Sequence, residues 1–118
     1  MLCKLVVFAA SDCCARCRVQ DVRNPSSPLM TLAGHSYAVR RVKWSPFSEH
    51  VLYTCSYDMT VAMWNTAAAG EPLTRRWDHH TEFSVGLDAS TLVDGLLASA
   101  GWDEMAYVWP QQGDPRAA

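Results

Sequence analysis

The chain has 118 residues, of which 49% are apolar and 19% are charged, and its formal net charge at pH 7 is -2. This composition is typical of a globular domain, and the slight negative charge disfavours nucleic acid as a partner, because binding nucleic acid needs a basic surface. The longest apolar run, Leu5–Ala10, is far shorter than the roughly 20 residues that cross a bilayer, so no direct membrane insertion is expected.

Cysteine is concentrated at the start of the chain, where four of the five cysteines lie within the first 17 residues. An odd, crowded set does not suit a secreted disulfide framework, so free thiols in a reducing compartment are expected. Cys14 and Cys17 form a single C-x-x-C pair, whereas a structural zinc site needs four ligands. Neither a metal nor any other cofactor is therefore predicted.

Residues 1–20 are predicted to be a divergent or foreign segment. A short strand over Leu5–Ala9 followed by a turn at Ser11-Asp12 would fit a degraded copy of the pattern that follows. Later in the chain, however, a tryptophan stands six residues after an aspartate, whereas here Gln20 stands eight residues after Asp12. Both alternatives, a degraded repeat and foreign sequence, remain open. Residues 21–33 are predicted to supply the outer strand of a preceding blade.

An internal repeat of 45 residues covers most of the remaining chain, without a gap. Three residues of the first copy recur in the second: His35 as His80, Asp58 as Asp103, and Trp64 as Trp109. A repeat of this length with Gly-His near its start and Trp near its end is typical of a four-stranded propeller blade. The predicted units are one WD repeat over 34–78, a final WD repeat over 79–110 that lacks its outer strand, and a polar tail over 111–118.

Short runs rich in β-branched and aromatic residues predict the strands of these repeats. The predicted strands are Val39–Trp44, Val51–Cys55, Thr60–Trp64, Ser84–Ala89, Leu96–Ala100 and Ala106–Trp109. The predicted fold class is all-β, a partial WD-repeat β-propeller of about two to three blades, where closed propellers commonly have seven. Repeat units do not bury their faces alone, so the chain is expected to be marginally stable or oligomeric, with open strand edges.

The recurring histidine, aspartate and tryptophan are predicted to be structural. In a WD blade, a histidine before the inner strand bonds to the aspartate of a tight turn, and a hydroxyl two residues before that aspartate links the histidine to the indole. The first copy has this tetrad as His35, Ser56, Asp58 and Trp64. The second copy keeps His80, Asp103 and Trp109, but Gly101 replaces the serine and His79 replaces glycine, so a weaker second blade is expected.

Enzyme activity is not predicted, because the sequence shows no nucleophile–base pair, no glycine-rich phosphate loop and no paired carboxylates.

Several segments resemble one family of WD-repeat proteins, the receptors for type-2 peroxisomal targeting signals. These segments are LAGHSYAVRRVKWSPF over 32–47, CSYDMTV over 55–61, DHHTEFSVGLD over 78–88 and GWDE over 101–104. The resemblance covers about residues 21–110, the last two repeats of such a receptor. Gly101 and Gln20 depart from the pattern, which bears on the integrity of the blades.

The resemblance implies a receptor, or a truncated fragment of one, that recognises these signals on cargo enzymes for import into the peroxisomal matrix. The implied partners are cargo proteins with an N-terminal amphipathic signal, a co-receptor and docking peroxins. The implied location is the cytoplasm, with cycling to the peroxisome matrix. The alternatives are a generic WD-repeat interaction scaffold and a non-functional truncated product.

Four residues are predicted to bind the signal peptide. Loops that precede inner strands and the tight aspartate turns lie on one face of a blade. This places Tyr37, Tyr57, Glu82 and Trp102 together, where an apolar helix with basic flanks would find aromatic and acidic partners. The structural alternative is that Tyr57 and Trp102 pack between blades and that Glu82 is a solvated carboxylate.

Overall fold

Antiparallel strands make up more than half of the chain that the computed structural model describes, which is residues 4–9, 16–21, 30–48, 50–67 and 70–117. The all-β prediction is confirmed. The strands are β1 Lys4–Ala9, β2 Arg16–Asp21, β3 Met30–Ala33, β4 Val39–Trp44, β5 Val51–Ser56, β6 Val61–Asn65, β7 Leu73–Trp77, β8 Ser84–Ala89, β9 Leu96–Gly101 and β10 Ala106–Pro110. One 3-10 turn follows over Pro115–Ala117.

Three antiparallel sheets divide these strands in chain order. The sheet β1-β2-β3 is called blade A, β4-β5-β6-β7 blade B, and β8-β9-β10 blade C. Blade B has the four strands of a complete propeller blade. Blade C has three among the described residues, so β10 forms its outer edge there.

The first blade places β2, which ends at Asp21, between the expected strand at its start and the expected outer strand. Lys4 of β1 pairs with Asp21 of β2, and Arg16 of β2 pairs with Ala33 of β3. The turn expected at Ser11-Asp12 lies outside the described residues. The division of the chain at residues 20 and 33, and the origin of residues 1–20, stay predictions.

The 45-residue repeat is visible in the irregularities of the sheets. The pairing of β4 with β5 shifts register between Val39 and Arg41. The pairing of β8 with β9 shifts between Ser84 and Gly86, which are the equivalent positions of the second copy. A bulge bends a strand and increases its twist, so both inner strands curve in the same way.

The hydrophobic core lies between the blades, not inside any one of them. Leu32 of blade A packs with Leu52, Ala62 and Trp64 of blade B. On its other side blade B contributes Tyr53, Cys55, Val61 and Trp77 to a second cluster, which Ala89, Leu97 and Trp109 of blade C complete. Each large side chain buried in this way contributes about 1.5–3 kcal/mol, so the blades stabilise one another.

Candidate functional site

Blade B holds its recurring residues in one buried hydrogen-bond chain. His35 lies in the loop before β4, and its Nδ1–H donates to Asp58 Oδ2 over 3.0 Å. His35 Nε2 lies 2.6 Å from Thr54 Oγ1, and the Trp64 indole N–H donates to the same oxygen over 2.8 Å. This chain of hydrogen bonds joins the entry loop, the middle of β5, the tight turn and β6, so it fixes four segments of the blade.

The residue that links the histidine to the indole is Thr54, and the prediction of Ser56 for this role is wrong. Ser56 lies at the end of β5, where its hydroxyl donates to the carbonyl oxygens of Tyr37 and Ala38. The indole reaches the middle of the strand, not its end, because Trp64 pairs with Leu52 across β5 and β6. A hydroxyl four residues before Asp58, not two, therefore stands between the two rings.

Blade C has the equivalent hydroxyl, Ser99, but uses it differently. His80 Nδ1–H donates to Asp103, and its Nε2 lies 2.9 Å from Ser99 Oγ. His79 Nε2 lies 2.8 Å from the same oxygen, and the Trp109 indole N–H has no partner among the described residues. His79 therefore bonds to the Ser99 hydroxyl, whereas in blade B the tryptophan bonds to the equivalent hydroxyl of Thr54. The expectation that Gly101 removes the hydroxyl link is therefore wrong, although Trp109 is left without its acceptor.

The space beside the tryptophan ring explains why blade B has Gly34 at the position where blade C has His79. A Cβ added to Gly34 would lie 2.8 Å from Trp64 Cη2, so the Trp64 ring leaves no space for a side chain. At the equivalent position His79 packs its ring edge-on against Trp109, with 4.8 Å between ring centres.

Burial and hydrogen bonds set the charge of these networks. Burial alone would raise the pKa of Asp58, but the hydrogen bonds from His35, Thr60 and the Ser36 backbone outweigh it and hold this pKa well below its usual range. The pKa of Asp103 is lowered in the same way by the Thr81 backbone, His80 and the Met105 backbone, against burial. Burial, together with repulsion from His80 and Arg116, lowers the pKa of His79 to about 4.

Asp103, His80 and Ser99 have the connectivity of a hydrolase triad, but the arrangement is closed. Ser99 is only 3% exposed, and its oxygen is already bonded to both His79 and His80. A substrate would have to displace these bonds to reach the hydroxyl. The hydroxyl of the blade C network is thus buried and engaged by two histidines.

A row of aromatic rings crosses the seam between blades B and C at the ends of the strands where the aspartate turns lie. Tyr57 packs against Phe83 with 4.7 Å between ring centres, and Phe83 packs against Trp102 with 5.0 Å between centres. These three residues are called the aromatic row. Tyr57 packs across the seam, as the structural alternative expects, whereas Trp102 is 61% exposed among the described residues.

The sequence did not single out Phe83, although it is the central ring of the row. It occupies the position of Ala38 in the first copy, so no recurrence marked it. The only signal was its place in the unusual segment 78–88. The other candidate residues, Tyr37 and Glu82, are exposed in the loops of the same face.

The tight turns add two further side chains to this face. Met59 and Glu104 follow the two aspartates, and both adopt left-handed backbone conformations, with φ of 72° and 67°. Such positions favour glycine, and non-glycine residues held there tend to occur at functional sites. Glu104 therefore joins Glu82 as an exposed carboxylate on the face of the aromatic row.

No group of three histidine, cysteine or carboxylate side chains within the described ranges could hold a metal ion. Cys3, Cys13 and Cys14 lie outside those ranges. Within the same part of the chain, no helix is long and apolar enough to span a membrane. Cys55 is a free, buried cysteine, and burial raises the pKa of its thiol to about 12.

Comparison with known proteins adds a family to this geometry. Residues 26–65 match the family described as WD domain, G-beta repeat. Peroxisome biogenesis protein 7 of Arabidopsis thaliana is 50% identical over 91 residues, which are 77% of this chain and 28% of that protein. The peroxisomal targeting signal 2 receptor of Dictyostelium discoideum is 53% identical over 74 residues, 63% of this chain and 23% of the relative. That of Mus musculus is 46% identical over 87 residues, 74% of this chain and 27% of the relative. The chain thus spans about a quarter of the length of these relatives.

Proposed function

We propose that this chain, which matches the WD-repeat family over residues 26–65 and folds into propeller-type blades, acts in a receptor for type-2 peroxisomal targeting signals. Two of the relatives above carry that receptor's name, which supports the role. The observation that carries the proposal for this chain is the aromatic row. It offers one exposed ring, Trp102, and two half-buried rings on a face that also bears carboxylates, and it spans two blades.

The proposed ligand is the amphipathic helix of a cargo signal. Its apolar side chains would pack on the aromatic row, because aromatic anchors contribute most of the energy at peptide interfaces. Its basic side chains would pair with Glu82 and Glu104, and exposed pairs of this kind contribute only about 0.2–1 kcal/mol each. Tyr37, 59% exposed in the neighbouring loop, would extend the apolar surface beside blade B.

The remaining assignments follow from the same proposal. The chain would bind and not catalyse, with no cofactor, metal or nucleic acid. Its partners would be cargo proteins with an N-terminal amphipathic signal, together with a co-receptor and docking peroxins. It would work in the cytoplasm and cycle to the peroxisome matrix, where cargo is delivered.

Titration of a fluorescently labelled, basic amphipathic signal peptide tests the proposal. The variants are Trp102→Ala, which removes an exposed ring of the row, and Glu82→Lys, which reverses a charge. Phe47→Ala is the matched control, because Phe47 is also an exposed aromatic residue but lies in the turn at the opposite ends of the strands. A peptide of the same composition in scrambled order controls for charge alone.

We expect Trp102→Ala to weaken binding at least tenfold, the loss typical of an aromatic anchor, and Glu82→Lys to weaken it about threefold. Phe47→Ala should leave affinity unchanged. Equal binding by the chain and by both face variants, with the fold intact by circular dichroism, would remove cargo recognition from this face. It would leave the two repeats as a generic scaffold.

A further inference from the structure

The segment that follows β10, predicted as a polar tail over 111–118, is docked against blade B. Residues 111–116 are called the seam strap. They form four hydrogen bonds with blade B. The Tyr53 hydroxyl donates to Gln111 Oε1 over 2.8 Å, and Arg75 Nη1 donates to the Gln112 carbonyl over 3.2 Å. The Trp77 indole donates to the Gly113 carbonyl over 3.0 Å, and Arg116 Nη2 donates to Asp78 Oδ1 over 2.8 Å. All four partners belong to β5, β7 or the residue after β7.

The strap is equally attached to blade C, from which it emerges. Gln111 N–H donates to the Gly95 carbonyl over 2.7 Å, and Gly113 N–H closes a turn onto the Pro110 carbonyl over 2.8 Å. Gly95 has φ of +83°, and a Cβ there would lie 3.0 Å from the Gln111 side chain. The glycine at position 95 therefore leaves room for the Gln111 side chain, where the strap begins. The strap continues blade C and is hydrogen-bonded to blade B.

The aromatic row crosses the same seam. Tyr57 belongs to blade B, whereas Phe83 and Trp102 belong to blade C, and the contact of 4.7 Å between Tyr57 and Phe83 is the point where the row passes from one blade to the other. Between strap and row, Trp77 of blade B meets Trp109 of blade C with 5.4 Å between ring centres. A change in how blade C sits on blade B would therefore separate the two halves of the row.

We propose that the seam strap is a positioning element for the aromatic row: by holding blade C against blade B at the outer rim, it keeps Tyr57 and Phe83 in contact at the binding face. The strap does not touch the peptide. This inference rests on the proposed function for the meaning of the row, but the position of the rings can be measured without any peptide.

Trp77→Phe and Arg116→Ala test the strap. The first keeps an aromatic ring against Trp109, and it removes the N–H that binds the Gly113 carbonyl together with part of the indole ring. The second opens the far end and keeps the Trp77 indole as a reporter of docking, and its exposed position makes unfolding unexpected. Thr74→Ala is the matched control, because this exposed threonine of β7 bonds to Pro72 within its own blade, not to the strap.

Two readouts apply to the full chain: the nuclear Overhauser effect between the Tyr57 and Phe83 rings, with the Trp102 indole resonance, and the affinity for the labelled signal peptide. We expect Trp77→Phe to reduce the Tyr57–Phe83 Overhauser effect to half or less and to shift the Trp102 resonance. It should weaken peptide binding about fivefold, the effect of losing one partly buried hydrogen bond. Arg116→Ala should move the Trp77 indole resonance and give a smaller change of the same sign. Thr74→Ala should change nothing.

Suppose the Trp77 indole resonance shows that the strap is released in Arg116→Ala. The inference is then overturned if the Tyr57–Phe83 contact and the Trp102 resonance are unchanged in both strap variants. If the strap only stabilised the fold, its variants would have a lower melting temperature, but at temperatures below that melting point the ring contact and the Trp102 resonance would be unchanged. If the unmodified chain binds no signal peptide, the proposed function fails, whereas a loss of ring contact in Trp77→Phe still supports the strap.

Discussion

Asp58 is the residue on which the network of blade B depends most, because its carboxylate accepts four hydrogen bonds. Two come from Thr60, one from His35 and one from the Ser36 backbone. The equivalent Asp103 accepts from three groups, since Met105 stands in place of Thr60 and contributes only its backbone N–H. We expect Asp58→Ala to lower the free energy of unfolding by about 2–4 kcal/mol and Asp103→Ala by about 1 kcal/mol less.

Urea unfolding of the two variants, monitored by circular dichroism, measures this difference. Equal losses of stability would show that the Thr60 hydroxyl contributes nothing and that the two networks are equivalent.

His79 makes the stability of blade C depend on pH. Its pKa is about 4 in the folded chain and about 6.5 when unfolded, so between these values the unfolded chain binds a proton that the folded chain does not. Stability is therefore fully present above pH 6.5 and falls as the pH decreases towards 4. For this side chain, 3% exposed, the loss at pH 5 is about 2 kcal/mol.

His79→Gln removes this titration and keeps an N–H donor for Ser99. Unfolding free energies of the chain and the variant at pH 7, 6 and 5 should diverge as the pH falls, with the variant less sensitive. Parallel pH profiles would show that His79 is protonated or exposed in the folded state. The stabilisation from Asp58 is also lost as the pH falls, but only below about pH 4, because the pKa of its carboxyl group is lowered in the folded chain.

At the scale of elements, the turn between β9 and β10 is built around Gly101. A Cβ there would lie 2.7 Å from His80 Nδ1 and 2.9 Å from the Phe83 carbonyl oxygen, and the second of these is backbone that cannot move aside freely. Gly101→Ser, which would restore the residue of the first copy, is therefore expected to destabilise the chain by about 1–3 kcal/mol. Gly70→Ser is the control, because a Cβ at Gly70 meets nothing within 4 Å.

Thermal melting of both variants decides this prediction. A higher melting temperature for Gly101→Ser would mean that the turn has room for a hydroxyl and that the second copy is a damaged version of the first.

The strands and the general position of the networks could be predicted because they depend on local pattern and on a fixed period. His35, Asp58 and Trp64 recur identically or nearly so, and each recurrence marks a position. Thr54 was missed although Ser99 recurs at the same period, because the choice of linking hydroxyl depends on how far the indole reaches across β5. Phe83 was missed because its equivalent, Ala38, has no ring, and the row exists only through packing across the seam.

At the scale of the whole molecule, blade C presents a sheet face that no described residue covers. Ala98, Ala100, Ala106 and Val108 stand where blade B has Tyr53, Cys55, Val61 and Met63, which blade C buries. Val108 is 57% exposed. Such a face, beside the unpaired edge of β10, favours association with another sheet.

We therefore expect the chain alone to self-associate or to melt over a broad range, as seen by sedimentation equilibrium and calorimetry. Val108→Lys should reduce association, because it places a charge on the open face, and Arg40→Lys should not, because Arg40 lies exposed on blade B. A clean monomer with a sharp, cooperative melt would contradict this expectation.

Mapping amide resonances of the chain as an unlabelled signal peptide is added tests the proposed peptide-binding face most directly. We predict that the largest shifts fall in the loops 35–38, 57–60, 80–83 and 102–105, with Phe83 and Trp102 among them. Residues 45–48 and 90–95, at the opposite ends of the strands, should stay in place. Shifts confined to those opposite turns, or to the open face of blade C, would contradict it.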